Sequence, residues 1–367
     1  MKKFISFMSI FGLLVSMTPA LAAGTGNTAN VSTGLMRDTS GGANPIVKAK
    51  WEANSDRYTD ASTSAGAQFT PSGQYQVNKT ISICAIVTDP DGLADVHDVY
   101  ADVFYPENVA LGASHVNLPG QSGLGCGGLM QEDRLTKLSK ADGIDLFCNM
   151  VKNNNNNLPT FNTGYNYSEI CATDGELWKE TAAVFCGSKD LSYEDPSGTY
   201  SVWAVAQDGN GLQGTLKNQF TYMPTTAFET DFTSVNYGNV RLNTHKIISG
   251  NLTWEPSAST RPTVRNTGNT RLQMRIMQDD MGLGQTMVGN TNQWNVKFDA
   301  RVGSVATSAS FWPNAWTTLN DSLDLSEMDE MDFSIDISKF PPTHEDANFT
   351  GTMTLSANSI AHLACHE

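Results

Sequence analysis

Apolar and polar residues alternate at a period of two along much of this chain, a pattern that predicts strands rather than helices. Ile46 to Glu52 places Val47, Ala49 and Trp51 on one face and Lys48 and Lys50 on the other, as a half-buried strand does. Lys79 to Thr88 repeats the pattern with Ile81, Ile83, Ala85 and Val87. After the turn Asp89-Pro90-Asp91-Gly92, Val96 to Tyr105 alternates again. Gly198 to Gln207 does so before a hairpin at Asp208-Gly209-Asn210-Gly211, and Asn218 to Met223 closes the unit. Further on, Ser234 to Val240, Ile247 to Trp254, Arg271 to Gln278, Gln293 to Val302, Met331 to Ile337 and Phe349 to Ala357 read as strands. Pro and Gly separate them at the spacing of a sandwich.

Gly112 to Asp190 breaks this pattern. Leu135, Leu138, Ile144, Leu146 and Phe147 fall at roughly helical spacing and are interrupted by Asp142-Gly143, which predicts two short helices, with Gly175 to Val184 as a third. The stretch holds four cysteines and too few apolar residues for a core of its own, so it reads as a disulfide-stapled, partly helical insertion seated on the first β unit. The expected class is all-β, with two β-sandwich domains at 45–224 (insertion 112–190) and 225–360, and a tail at 361–367.

Two segments resemble known folds. Val87-Thr88-Asp89-Pro90-Asp91-Gly92 and the run Tyr200 to Gly211 (YSVWAVAQDGNG) are similar to immunoglobulin-like and PKD- or cadherin-like modules of prokaryotic cell surfaces, over roughly 45–111 and 190–224. The resemblance implies immunoglobulin-like sandwiches, with Tyr200 as a tyrosine corner. Val264 to Leu272 is similar to the "NTGN" hairpin of prokaryotic immunoglobulin-like repeats.

The N-terminus sets the compartment. Lys2 and Lys3, the apolar Phe4 to Met17 and the small-residue site Ala20-Leu21-Ala22 form a secretory signal peptide, 1–22, followed by a Gly-, Thr-, Ser- and Asn-rich leader, 23–44. No later run approaches the ~20 apolar residues of a membrane helix. The product is therefore expected outside the cytoplasm: extracellular, on the cell surface, or in the periplasm. There the six cysteines read as disulfides. Cys126, Cys148, Cys171 and Cys186 are expected to pair among themselves, leaving Cys84 and Cys365 to pair with each other, a third cysteine or another chain. With 38 acidic against 23 basic residues and a formal charge of −15, nucleic acid and anionic membranes are disfavoured partners.

The sharpest candidate chemistry is a metal site. In the resembled topology the two acidic turns lie at one end, so Asp89, Asp91, Asp95, Asp208 and Asn210 converge as hard oxygen ligands suited to Ca²⁺. The competing reading is that these are ordinary turn-capping residues. Asp279-Asp280 is a smaller case of the same kind. His362 to His366 lacks the first cysteine of a haem-attachment motif. No G-x-S-x-G, H-E-x-x-H or phosphate loop is present. Trp312 and Trp316, in a loop-like segment, are candidates for stacking on sugars or a partner, whereas Trp254 and Trp294 read as core. These readings converge on a non-enzymatic structural or adhesive surface protein that meets a protein or a glycan. A carbohydrate-binding protein is the first rival and a secreted hydrolase the second.

Overall fold

β1 (Ile46–Asn54) departs from the simple alternation at one residue. It pairs antiparallel with β3 (Lys79–Thr88), and the register steps from Val47 opposite Val87 to Ala49 opposite Ile86, leaving Lys48 as a bulge. Beyond it, Trp51 shares a face with Cys84, while Lys50 and Glu52 share the other with Ala85 and Ile83. Both faces are covered. The expectation of a half-buried strand with solvent-facing lysines is thus corrected: Lys48, Lys50 and Glu52 are all buried.

This computed structural model describes residues 42–61, 66–105, 133–154, 157–256, 259–284, 295–304, 306–340 and 347–360. The expected signal peptide and nearly all of the leader, the start of the insertion with Cys126, Trp294, and the tail with His362, Cys365 and His366 lie outside the described residues.

Two sheets face each other in the first unit. Its remaining strands are β2 (Ala67–Phe69), β4 (Val96–Phe104), β5 (Asp133–Arg134), β6 (Thr136–Lys137), β7 (Thr160–Phe161), β8 (Ala182–Leu191), β9 (Gly198–Asp208) and β10 (Gln213–Tyr222). One sheet runs β6-β8-β3-β1-β7 and the other β2-β10-β9-β4-β5. Ile81, Ile83, Val202 and Phe220 belong to the fully buried core. Tyr200 stacks on Phe220 at 5.0 Å between ring centroids, and its hydroxyl donates to the Pro196 carbonyl at 2.6 Å, the bond of a tyrosine corner.

The outer face of β1 is roofed by helices. α1 (Lys140–Ile144), capped by Ser139, continues into a wider-wound turn at Asp145–Val151, and α2 (Tyr167–Cys171) is capped by Asn166. Cys148–Cys171 ties the two together. Phe147 packs on Trp51 at 5.2 Å and on Tyr167 at 5.0 Å. The expected helix over Gly175 to Val184 is shortened to α3 (Glu176–Lys179), where Glu180 adopts a left-handed φ of 57° and stops it. Ala182 onward is β8, paired along its whole length with β3, so the expected insertion end at Asp190 falls inside the sheet. Cys84 and Cys186 sit directly opposite in that ladder with Cα atoms 4.2 Å apart, and they form a disulfide. This corrects the expectation that Cys186 pairs within the 126–186 cluster: register on adjacent strands outweighs closeness in sequence.

The second unit has its own core. Its strands are β11 (Phe228–Thr230), β12 (Lys246–Ile248), β13 (Thr263–Asn266), β14 (Arg271–Gln278), β15 (Val296–Val302), β16 (Ala309–Phe311), β17 (Thr317–Leu323), β18 (Met328–Ile337) and β19 (Met353–Ile360). β11-β13-β18-β15-β16, with β12 also on β18, faces the three-stranded β17-β14-β19. Leu272, Met274, Ile276, Phe298 and Phe333 are buried between them. Ser234 to Val240 forms no strand; its apolar residues Tyr237, Val235 and Val240 reach the core from a loop. The predicted strand Ile247 to Trp254 ends at Ile248.

Asn266-Thr267-Gly268-Asn269 is not a hairpin. It carries the chain from β13 in one sheet to β14 in the other, and it holds the connection between the units. Asn269 accepts from the Thr225 N–H at 2.7 Å and donates to the Met223 carbonyl at 3.0 Å. Arg265 lies between the rings of Tyr75 (4.2 Å) and Trp254 (3.8 Å), so Trp254 clamps this junction rather than filling a core. Among the described residues no helix is long and apolar enough to cross a membrane.

Candidate metal centre

The two acidic turns do meet. β3 ends at Thr88 and β4 begins at Val96; between them the Asp91 N–H donates to Asp89 Oδ1 at 2.7 Å and the Gly92 N–H to the Asp89 carbonyl at 3.0 Å. Gly92 has a φ of 112°, open to glycine and strained for other residues, so the turn can fold back tightly. Leu93–Asp95 adds one tight helical turn. The register then places Val96 opposite Asp208, the last residue of β9, and the Gly209 N–H donates to the Asp95 carbonyl at 3.2 Å. Strand pairing, not loop chemistry, therefore brings Asp95 beside Asp208.

One oxygen from each of Asp89, Asp91 and Asp95 lies within 4.8 Å of the others. Asp89, Asp95 and Asp208 are 4 %, 5 % and 2 % exposed, and Asp91 sits at the rim. A third segment closes the end: the Ala43 N–H donates to Asp91 Oδ2 at 2.7 Å. A side chain on Gly42 would stand 2.6 Å from that oxygen, 3.6 Å from Asn210 Nδ2 and 3.7 Å from Asp208 Oδ2. All five predicted residues thus surround one end of the first sandwich.

Turn capping accounts for only part of this. Asp208 Oδ1 accepts from the Asn210 and Leu212 N–H groups at 2.8 and 2.7 Å, as a turn-capping aspartate does. Its Oδ2 is buried and makes no hydrogen bond. Like charges 4 Å apart repel by about 4 kcal/mol at an effective dielectric near 20. A divalent cation turns that repulsion into attraction, and Ca²⁺ accepts about six to eight oxygens from flexible loops. Four carboxylates and the Asn210 carboxamide supply a donor set of that chemistry. These residues offer the oxygen donors that a hard cation takes.

The other candidates are placed as follows. Asp279 spends one oxygen on the Met281 N–H at 2.9 Å and the other on the Thr352 N–H at 2.8 Å, so it serves as a backbone tie. Trp316 is 41 % exposed, with the Arg275 guanidinium 5.3 Å from its ring, and Trp312 is half-buried in the same β16–β17 loop. Sequence reading misses one polar group entirely: Lys50 and Glu52, in the core of the first sandwich beside Asn218. Their chain positions look like a solvent face, and only the Lys48 bulge and the opposing sheet put them inside.

Asp195, in the turn before β9, is also buried, and burial pushes its carboxyl up from 3.8 to about 6. The native state then keeps a proton that the unfolded chain has already released. Stability associated with Asp195 is full below its unfolded pKa and falls as pH rises through about 6. Asp195→Asn, which can still accept from the Ser192 N–H, is expected to raise stability at pH 7.5 by about 2 kcal/mol and to leave it unchanged at pH 4. Thermal melts across pH 4 to 7.5 check this; curves that stay parallel to the wild type would refute it.

No protein-family model and no curated protein matches the sequence. Among solved structures, the chain is similar to the secreted serine protease VesC from Vibrio cholerae, at 9 % identity and a TM-score of 0.17, over 80 % of this chain and 49 % of that one. A CsuC–CsuE chaperone–tip adhesion subunit complex from Acinetobacter baumannii Csu pili matches at 11 % identity and 0.25, over 84 % and 99 %. The C-terminal domain of the Streptococcus pyogenes antigen I/II-family protein AspA matches at 11 % and 0.22, over 85 % and 96 %. At these TM-scores the similarities carry no argument about this chain.

Proposed function

We propose that this chain is an exported, non-enzymatic structural or adhesive module of a cell surface, built from two immunoglobulin-like sandwich domains whose acidic loop end is fixed by Ca²⁺. The observation that carries the reading is the convergence of Asp89, Asp91, Asp95 and Asp208 on one end, with Asp208 Oδ2 buried and without a hydrogen bond. Two disulfides in the described residues suit an oxidising compartment, and the charge of −15 suits solubility and divalent cations rather than nucleic acid. In this reading the cation ties the loop cluster into a rigid surface that a protein or glycan partner meets.

A ligand that binds only the native state at 100 times its Kd stabilises it by about 2.7 kcal/mol. Excess Ca²⁺ over chelator is therefore expected to raise the melting temperature by roughly 5 °C for a chain of this size, and Asp208→Asn to abolish the difference. Identical melts with chelator and with Ca²⁺ would remove the metal from the proposal. Fractionation of intact cells, followed by identification of what co-purifies with and without Ca²⁺, tests the surface role. The exposed Trp316 favours a glycan as the second reading, and a glycan array with Trp316→Ala as control separates the two.

A further inference from the structure

Between the sheets of the first sandwich three polar side chains meet that packing does not call for, two of them fully buried and the third, Asn218, half-buried. Lys50 and Glu52, both 0 % exposed, project from β1 into the space between the sheets, and Asn218 meets them from β10 of the opposite sheet. Lys50 Nζ touches both Glu52 Oε1 and Asn218 Oδ1. Asn218 Nδ2 donates to Glu52 Oε2 at 2.6 Å. An amine, a carboxyl and a carboxamide thus close a ring, with one carboxyl oxygen on each nitrogen.

Stability alone explains this poorly. A buried ion pair is often no better than apolar residues of equal volume, because desolvation consumes the Coulomb gain. Reactivity explains it better. The fully buried amine is held against the carbonyl of a half-buried carboxamide, next to a fully buried carboxyl able to move protons between the two nitrogens. We propose that Lys50 and Asn218 become joined by an amide bond between Nζ and Cγ, formed by the folded protein itself with Glu52 as proton carrier.

The step balances. In the apolar interior the Lys50 ammonium passes a proton to the Glu52 carboxylate, leaving a neutral amine and a neutral acid; burial, opposed by Glu52, holds the Lys50 pKa below its ordinary value. The Nζ lone pair attacks Cγ of Asn218. Glu52 Oε1 takes a proton from the attacking nitrogen while the acid proton goes from Oε2 to Nδ2. The Cγ–Nδ2 bond breaks, ammonia leaves, and Glu52 remains a neutral acid beside the new amide. No oxidant or cofactor is required.

The position of the bond gives it a purpose. β1 is the first described strand and β10 the last of its sandwich; the two residues are 168 apart in sequence and on different sheets. A covalent tie there spans the core and joins the points where the chain enters and leaves the unit, so tension along the chain would bypass the sheets. Cys84–Cys186, within one sheet, does neither. The tie rests on its own geometry and stands or falls separately from the metal and surface readings.

Intact-mass spectrometry of the reduced, exported protein is expected to give a mass about 17 Da, one ammonia, below that of the processed sequence. Proteolysis should yield a branched peptide linking the Lys50 and Asn218 segments. Glu52→Gln, Lys50→Met and Asn218→Ala should each show their full sequence masses. Lys50→Met tests this in a core kept apolar, and should a variant fail to fold, the wild-type mass and peptide map decide alone. A wild-type protein of full mass, or a 17 Da loss that maps to another residue, overturns the proposal.

Discussion

Replacing Cys84 and Cys186 together by alanine is expected to destabilise the protein by about 4 kcal/mol, against about 3 kcal/mol for the Cys148–Cys171 pair. The first bond closes a separation of 102 residues and the second one of 23, and the unfolded chain gains more freedom when the longer loop is released. Packing points the same way. Cys84 lies beside Trp51 under the helical roof, at the seam of β1, β3 and β8, whereas Cys148 and Cys171 are only partly buried in the roof itself. Denaturant unfolding of the two double variants checks the order. Equal midpoints would show that loop length does not set the effect, and a larger loss from Cys148/Cys171 would show that the roof holds the sandwich rather than the reverse.

Strands are legible where alternation is strong and both faces keep their roles. Lys79–Thr88 and Arg271–Gln278 coincide with β3 and β14 at both ends. β17 escapes because Thr317 to Leu323 (TTLNDSL) offers only Leu319 and Leu323 as buried apolar anchors. Ser234 to Val240 misleads because a loop that plugs a core shows the same apolar spacing as a strand. β8 is hidden by its unbroken apolar start, Ala182 to Cys186, buried under α3 and the roof, so period two is lost.

The acidic end is legible for a different reason. Its residues sit in two short turns whose chemistry is local, and strand order alone decides that the turns meet. The Lys50, Glu52 and Asn218 group has no local signature. A single bulged residue reverses which face of β1 is inward, and a one-residue slip moves every side chain across the sheet. Pairing across 168 residues adds a second requirement that no window along the chain can display. Disulfide partners are illegible for the same reason: Cys84 and Cys186 are matched by register, which composition and spacing do not encode.

Asn269→Ala is expected to cost about 2 to 4 kcal/mol and to separate the melting of the two sandwiches. Asn269 is fully buried, and its carboxamide satisfies the Thr225 N–H and the Met223 carbonyl of the connecting segment. A buried backbone group left without a partner costs about 1 to 3 kcal/mol, and these two, on half-buried residues, fall in the lower part of that range. The Asn269 carbonyl, which accepts from the Ser197 N–H at 2.9 Å, survives the substitution, so one main-chain link between the units remains. Gly268→Ala attacks the same joint sterically, because a Cβ there overlaps the Thr225 carbonyl oxygen and presses on the Ala227 nitrogen. The wild type is expected to melt in one calorimetric transition, and both variants in two, with faster proteolysis between Met223 and Ala227. If Asn269→Ala keeps a single transition at the wild-type temperature with the segment still protected, then the Arg265 clamp between Tyr75 and Trp254 holds the junction, and Arg265→Ala becomes the variant that must release it.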